Sequence, residues 1–227
     1  MRKLACLFVI ALFVAPVMAD DLFPPGFRGD PLSYHAHWDA FQNGDFNAFY
    51  PDFESSVPGP DPGDMLHDGF FTHLDFAPSE GWAMAPGGGG FFNAAEDSTF
   101  VANVVNWLDD EPIKFLRIQV TYLDDILNGP PTILGVEGFA PVTGGGPYVS
   151  TGPVDSFSGP GLTPGTEYFY EDWIIEPNPD WEQIEFFLPQ GTIIEQLVID
   201  SVSVPEPATL LLMGCGIATL VHKRRQR

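Results

Sequence analysis

Between residues 20 and 204 the chain has no cysteine, since Cys6 and Cys215, its two cysteines, lie outside that span. Disulfides and catalytic thiols are excluded there, and the body must stand by its core alone. Basic residues are almost missing as well. Arg28, Lys114 and Arg117 are the three in residues 20–204, against thirty of the chain's 31 acidic residues, which leaves a formal charge of −27 on that span. So acidic a surface repels phosphate backbones, which excludes nucleic acid as a partner. The body also lacks a Gly-x-Ser-x-Gly nucleophile elbow, a Walker phosphate loop and any helix-period window longer than about ten residues. No repeat of 20 to 50 residues is present, which argues against a propeller or solenoid.

What is there is alternation. Leu116, Ile118, Val120 and Tyr122 fall on one face of an expected strand at 113–122, with Arg117, Gln119 and Thr121 on the other. In 34–41, Tyr34, Ala36, Trp38 and Ala40 alternate with His35, His37 and Asp39, the pattern of a half-buried strand. Residues 98–107 are β-branched and aromatic on both faces, and further strands are expected at 132–139, 166–176, 181–188 and 193–204, with short runs at 69–76 and 81–85. Gly and Pro clusters separate them, and residues 42–65 read as one long loop with turn chemistry throughout. Together these give an all-β fold, a two-sheet β-sandwich of jelly-roll type over residues 34–204, preceded by a flexible leader at 20–33. A single domain of this length buries roughly 70% of its extended-chain surface, enough for a core without staples.

The two ends are of a different kind. Arg2 and Lys3, an apolar run over 4–14 and the small-residue signal ending at Ala19 form a secretory signal peptide over residues 1–19, with the mature chain expected to start at Asp20. Cys6 does not follow the apolar run, where a lipidated cysteine would stand. At the other end, Val204-Pro205-Glu206-Pro207 is stiffened by two proline rings, residues 208–221 are apolar, and Lys223, Arg224, Arg225 and Arg227 make a basic end. As a helix the apolar part reaches about 21 Å at 1.5 Å per residue, short of a hydrocarbon core of about 30 Å. The basic end favours the cytoplasmic side. No linker separates 193–204 from Pro205, so the body is held close to the membrane while the tail is intact.

The order Pro205-Glu206-Pro207, short apolar helix, arginine cluster resembles the PEP-CTERM sorting tag of exported bacterial proteins. The resemblance implies an exosortase-like membrane enzyme as partner, with Pro205, Glu206 and Pro207 as the recognition element. It implies that 208–221 is a transient transmembrane anchor and that Lys223, Arg224, Arg225 and Arg227 are a cytoplasmic stop. Trp173-Ile174-Ile175-Glu176-Pro177-Asn178-Pro179-Asp180-Trp181-Glu182, with Ile199-Asp200, resembles bodies of other proteins that bear this tag. Such families are tied to exopolysaccharide and biofilm material. The implied role is that of a non-enzymatic cell-surface or extracellular-matrix protein, structural or glycan-binding; the rival is a secreted glycosidase working through paired carboxylates.

Four sets of residues carry candidate chemistry. Tyr168, Tyr170 and Trp173, with Phe169, form the densest aromatic run and read as either core or a flat platform for sugar rings. Asp109-Asp110 and Asp124-Asp125, with Asp61 and Asp64, offer calcium ligands at loop ends or simple turn caps, and none matches the twelve-residue loop. His35, His37 and Asp39 share a strand face, as a metal ladder or a solvated surface; His67 and His73 have no ligand spacing, and no metal set is assigned. Glu171, Glu176, Glu182 and Glu185 supply carboxylate pairs with nothing to choose among them.

Overall fold

In residues 181–188 inward Glu182, Ile184, Phe186 and Leu188 alternate with Trp181, Gln183, Glu185 and Phe187, and the chain runs there as an extended strand with its even-numbered residues buried. The computed structural model describes residues 23–58, 71–86, 89–123, 129–140, 145–150 and 152–204. The signal peptide expected at residues 1–19, the tail from residue 205 on and Asp61, Asp64, His67, Asp124 and Asp125 lie outside these.

Among the described residues there are fifteen strands and no helix: β1 (Ser33–Trp38), β2 (Gly44–Asp45), β3 (Ala48–Phe49), β4 (Phe53–Val57), β5 (His73–Phe76), β6 (Trp82–Met84), β7 (Phe91–Asn93), β8 (Ser98–Val105), β9 (Ile113–Leu123), β10 (Thr132–Ala140), β11 (Gly145–Val149), β12 (Asp155–Pro160), β13 (Glu167–Ile175), β14 (Trp181–Leu188) and β15 (Ile193–Val204). They make two sheets. One runs β12-β13-β9-β15-β1-β4, with β7 also on β15 and β6 on β7; the other runs β11-β10-β14-β8-β5-β3-β2. Every pairing is antiparallel. The all-β expectation therefore stands, as two antiparallel sheets packed face to face.

The longest strand, β15, is central. It pairs with β9 from Ile193↔Leu123 to Val204↔Ile113 and with β1 from Leu197↔Trp38 to Val202↔Ser33. It is reached from β14 by a tight turn in which Thr192 N–H donates to the Pro189 carbonyl at 3.2 Å and Gly191 takes φ +80°, the third-position conformation that glycine adopts without strain. Inward residues of both sheets form one core, with Tyr34, Trp38, Leu116, Ile118, Val120, Leu197 and Ile199 from the first meeting Phe100, Ala102, Val104, Ile184 and Phe186 from the second. Phe100 and Phe186, opposite each other on β8 and β14, stack with centroids 4.6 Å apart and planes 3° apart.

Two expectations are corrected. The leader at 20–33 is not loose from Phe23 onward. Phe23 packs on Phe157, Tyr168 and Tyr170, Phe27 packs on Phe115, and Arg28 grips Asp200, so residues 23–31 form a strap over the outer face of the first sheet. The long loop at 42–65 contains β2, β3 and β4. The strand β4 has no apolar alternation because Phe53 to Ser56 are all exposed at the sheet's edge, where pairing through the backbone suffices.

One end of the core is polar. Lys114 and Glu182 are both fully buried, on facing sheets, with Asn106 between them: Lys114 Nζ donates to Asn106 Oδ1 at 2.6 Å, and Asn106 Nδ2 donates to Glu182 Oε1 at 2.5 Å. Lys114 also donates to Ser203 Oγ at 2.7 Å, whose hydroxyl donates to Asp109 Oδ2 at 2.6 Å. Among the described residues Glu182 Oε2 has no hydrogen-bond partner. Burial pushes the Glu182 carboxyl up to about 8 and the Lys114 ammonium down to about 8, each partly opposed by the attraction of the other. A carboxyl raised by folding is fully stabilising only below its unfolded value and loses that contribution as pH climbs toward 8. The lowered lysine acts higher, with stability rising from pH 8 toward its unfolded value of 10.5. Replacing Glu182 with Gln, which mimics the protonated carboxyl, is expected to leave stability near wild type at pH 5 and to exceed it progressively as pH rises to 8, read from urea midpoints at each pH.

Candidate functional site

Strand alternation sends the odd-numbered residues of β1 and β9, and the even-numbered residues of β15 from Gln196 on, to the outer side, so the outer face of the first sheet gathers side chains that the sequence scatters. Asp200 on β15 is opposite His35 on β1 and Arg117 on β9. Arg28 of the strap donates to both Asp200 oxygens, Nε to Oδ1 at 2.6 Å and Nη2 to Oδ2 at 2.5 Å. His35 Nδ1 lies 2.9 Å from Oδ1, and Gln119 Nε2 donates to Oδ2 at 3.3 Å. Gln119 Oε1 in turn accepts from the Tyr168 hydroxyl at 2.7 Å. Beside this, Arg117 makes the same fork with Asp172, both bonds at 2.6 Å, and its guanidinium lies 4.2 Å over the Tyr170 ring. Those bonds push the Arg117 pKa further up. The result is a satisfied polar seam under the strap.

The aromatic platform is accordingly corrected. Tyr168, Phe169 and Trp173 are buried, at 1%, 8% and 4% exposure, and Tyr170 is half-covered by Arg117, Phe157 and Phe23. Trp173 faces the core, where its Nε1 donates to Glu171 Oε2 at 3.0 Å, so it shares no face with the two tyrosines. The histidine face is no solvated surface either: His35 and His37 are buried, one on Asp200 and the other against the Gln196 amide, with Asp39 3.7 Å away. Among the described residues no three His, Cys, Asp or Glu side chains converge as a metal would need. Of the calcium candidates, Asp109 caps Glu111 N and holds Asn178 and Ser203, while Asp110 points to solvent.

The glutamates named for hydrolysis do not gather. Glu182 is inside the core, Glu185 is exposed on the second sheet, and Glu176 is exposed beyond the end of β13. Glu171 is half-buried on the first sheet, its carboxyl raised by burial against the opposing Trp173 bond.

The second sheet presents a different outer face. His73 on β5, Asn103 on β8, Gln183 on β14 and Glu137 on β10 stand directly across from one another, strand to strand. Neighbours on this line are bonded: Gln183 Nε2 donates to Asn103 Oδ1 at 2.9 Å, Asn103 Nδ2 donates to Asp75 Oδ2 at 2.9 Å, and His73 Nε2 lies 3.2 Å from the same oxygen. His73 Nδ1 donates to the Phe71 carbonyl. Alongside runs an aromatic border. Trp181 stacks on Phe139 with centroids 4.7 Å apart, and Phe71 and Tyr50 meet edge to face at 6.4 Å, with Tyr50 6.1 Å from His73. Phe71 is 60% exposed and Tyr50 44%. Phe71, His73, Asp75, Asn103, Trp181 and Gln183 enclose a cavity of about 330 Å³. None of these residues was singled out as a ligand group from sequence. Their signal was the outward alternation of Trp181, Gln183 and Glu185, but the lateral match between positions as distant as 73, 103 and 183 depends on strand register.

Removing Asp200 would leave Arg28, His35 and Gln119 facing one another without their acceptor. Asp200→Ala is expected to lower unfolding free energy by about 3 kcal/mol in urea titration, the low end for breaking a buried ion pair because Arg28 keeps partial access to solvent.

Residues 203–226, which begin inside β15, match the family of the PEP-CTERM protein-sorting motif. No curated protein matches the chain. The match marks an exported protein whose tail is recognised by a membrane exosortase.

Proposed function

From that sorting motif as premise, we propose that this is a cell-surface or extracellular-matrix protein whose β-sandwich binds glycan in the material around the cell. Its signal peptide carries it across the membrane and is cut after Ala19. Residues 208–221 hold it there briefly, Lys223, Arg224, Arg225 and Arg227 keep the tail's end inside, and the exosortase-like enzyme acts at Pro205-Glu206-Pro207.

The observation that carries the reading is continuity. The matched motif starts at residue 203 while β15 extends to Val204, with no linker between folded body and tag. Ser203 is fastened by Lys114 and Asp109, so the body offers the stiff proline segment from a fixed point. Glycan binding draws support from the second sheet's outer face, where planar hydrogen-bonding groups lie beside exposed rings. Cleavage of glycosidic bonds draws none, since the candidate glutamates lie apart on different faces.

Replacing Pro205, Glu206 and Pro207 with alanines is expected to leave uncut protein in the membrane fraction with Arg227 still attached, detected by mass spectrometry of the C-terminus. Release of that variant at the wild-type rate would overturn motif-dependent processing.

A further inference from the structure

We propose that the outer face of the second sheet, from Tyr50 and Phe71 across His73, Asn103 and Gln183 to Trp181, is a groove for an uncharged polysaccharide chain. The proposal rests on the glycan-binding reading above and assigns it a site and a ligand class.

The rings come first. A folded domain of this size has room to bury Phe71 and Tyr50, yet both are largely exposed and packed on each other rather than scattered. Grouped exposed rings next to a concavity are what the apolar face of a sugar needs, since ring faces stack and leave the sugar's edge free. The polar line supplies that edge. A sugar hydroxyl both donates and accepts, and Asp75 accepts while Asn103 and Gln183 each do both. Their mutual bonds fix the three side chains in place, leaving Asp75 Oδ1 and the side-chain Oε1 of Gln183 without a protein partner among the described residues. Ligand groups held by bonds to one another lose little freedom on binding. The line crosses four strands, a reach of about 14 Å at roughly 4.8 Å per strand, which suits a chain lying across the sheet better than a single small ring.

Charge sets the class. Asp75, Glu137 and Glu185 stand on this face, and no Lys or Arg does among the described residues. Arg28, Lys114 and Arg117, the three cations of residues 20–204, all belong to the first sheet or its strap. An acidic polymer would meet carboxylates with nothing to offset them, while a neutral one pays no such penalty. The corresponding face of the first sheet shows the contrast. There polar groups are equally abundant, but Arg28 and Arg117 are present to pair with the carboxylates of Asp200 and Asp172.

The test is affinity electrophoresis of the exported protein, processed by its host, in gels containing the host's own extracellular polysaccharide, a neutral glucan, a neutral mannan or acidic alginate. Retardation by one or more neutral polymers and none by alginate is expected. Phe71→Ala and Gln183→Ala should each weaken binding by about tenfold, and Phe157→Ala, an exposed ring on the first sheet, should leave it unchanged. Far-UV circular dichroism of each variant should match wild type. Folded Phe71 and Gln183 variants that bind as wild type would overturn the groove and leave the glycan reading standing. Binding to alginate alone would overturn the neutral class. No retardation by any of the four would overturn both this inference and the glycan reading.

Discussion

Asp200 is the point on which the first sheet converges. Its carboxylate takes two bonds from Arg28, one from Gln119 and a contact from His35, so one side chain of β15 ties together the N-terminal strap, β1 and β9. It lies buried in a body with a formal charge of −27, where each additional carboxylate raises self-repulsion. Burying a carboxylate there is tolerable because a cation is delivered with it. The same holds for Asp172 under Arg117, and Lys114 serves the interior between Asn106 and Ser203. All three cations of the body thus work inside the fold, and its surface is left to the acids.

That allocation explains why the two outer faces differ. The first sheet's polar groups are held by arginines that come from its own strand and from the strap, and the strap's aromatic residues cover what remains. On the second sheet there is no cation to gather, so Asp75, Asn103, Gln183 and His73 satisfy one another laterally and keep part of their capacity turned outward. One face with its carboxylates paired to arginine and one with no cation at all among the described residues follow from where three basic residues happen to stand.

Strands with one face in the core were legible in the sequence, because a period of two repeats over enough residues to be unmistakable. β14 and β15 coincide with the stretches read from alternation, and the inward residues of β9 are those expected. β4, β11 and β12 were not legible: each is an edge strand of exposed, polar or glycine-rich residues paired through backbone alone. The tag was readable since its chemistry is contiguous. The platform at Tyr168, Tyr170 and Trp173 was misplaced for the opposite reason. Density of rings along the chain says nothing about what lies over them, and here Phe23, about 145 residues earlier, lies over Tyr168. The groove on the second sheet was invisible because it is written across strands, not along one.

One consequence belongs to the order in which the chain emerges. β15 is the last strand before the tag and also the partner that β1, β7 and β9 share. Ser33 finds Val202 only when nearly the whole polypeptide is available. Assembly of the first sheet is therefore a late event, and it draws the start of the body onto the very strand that leads into the sorting tail.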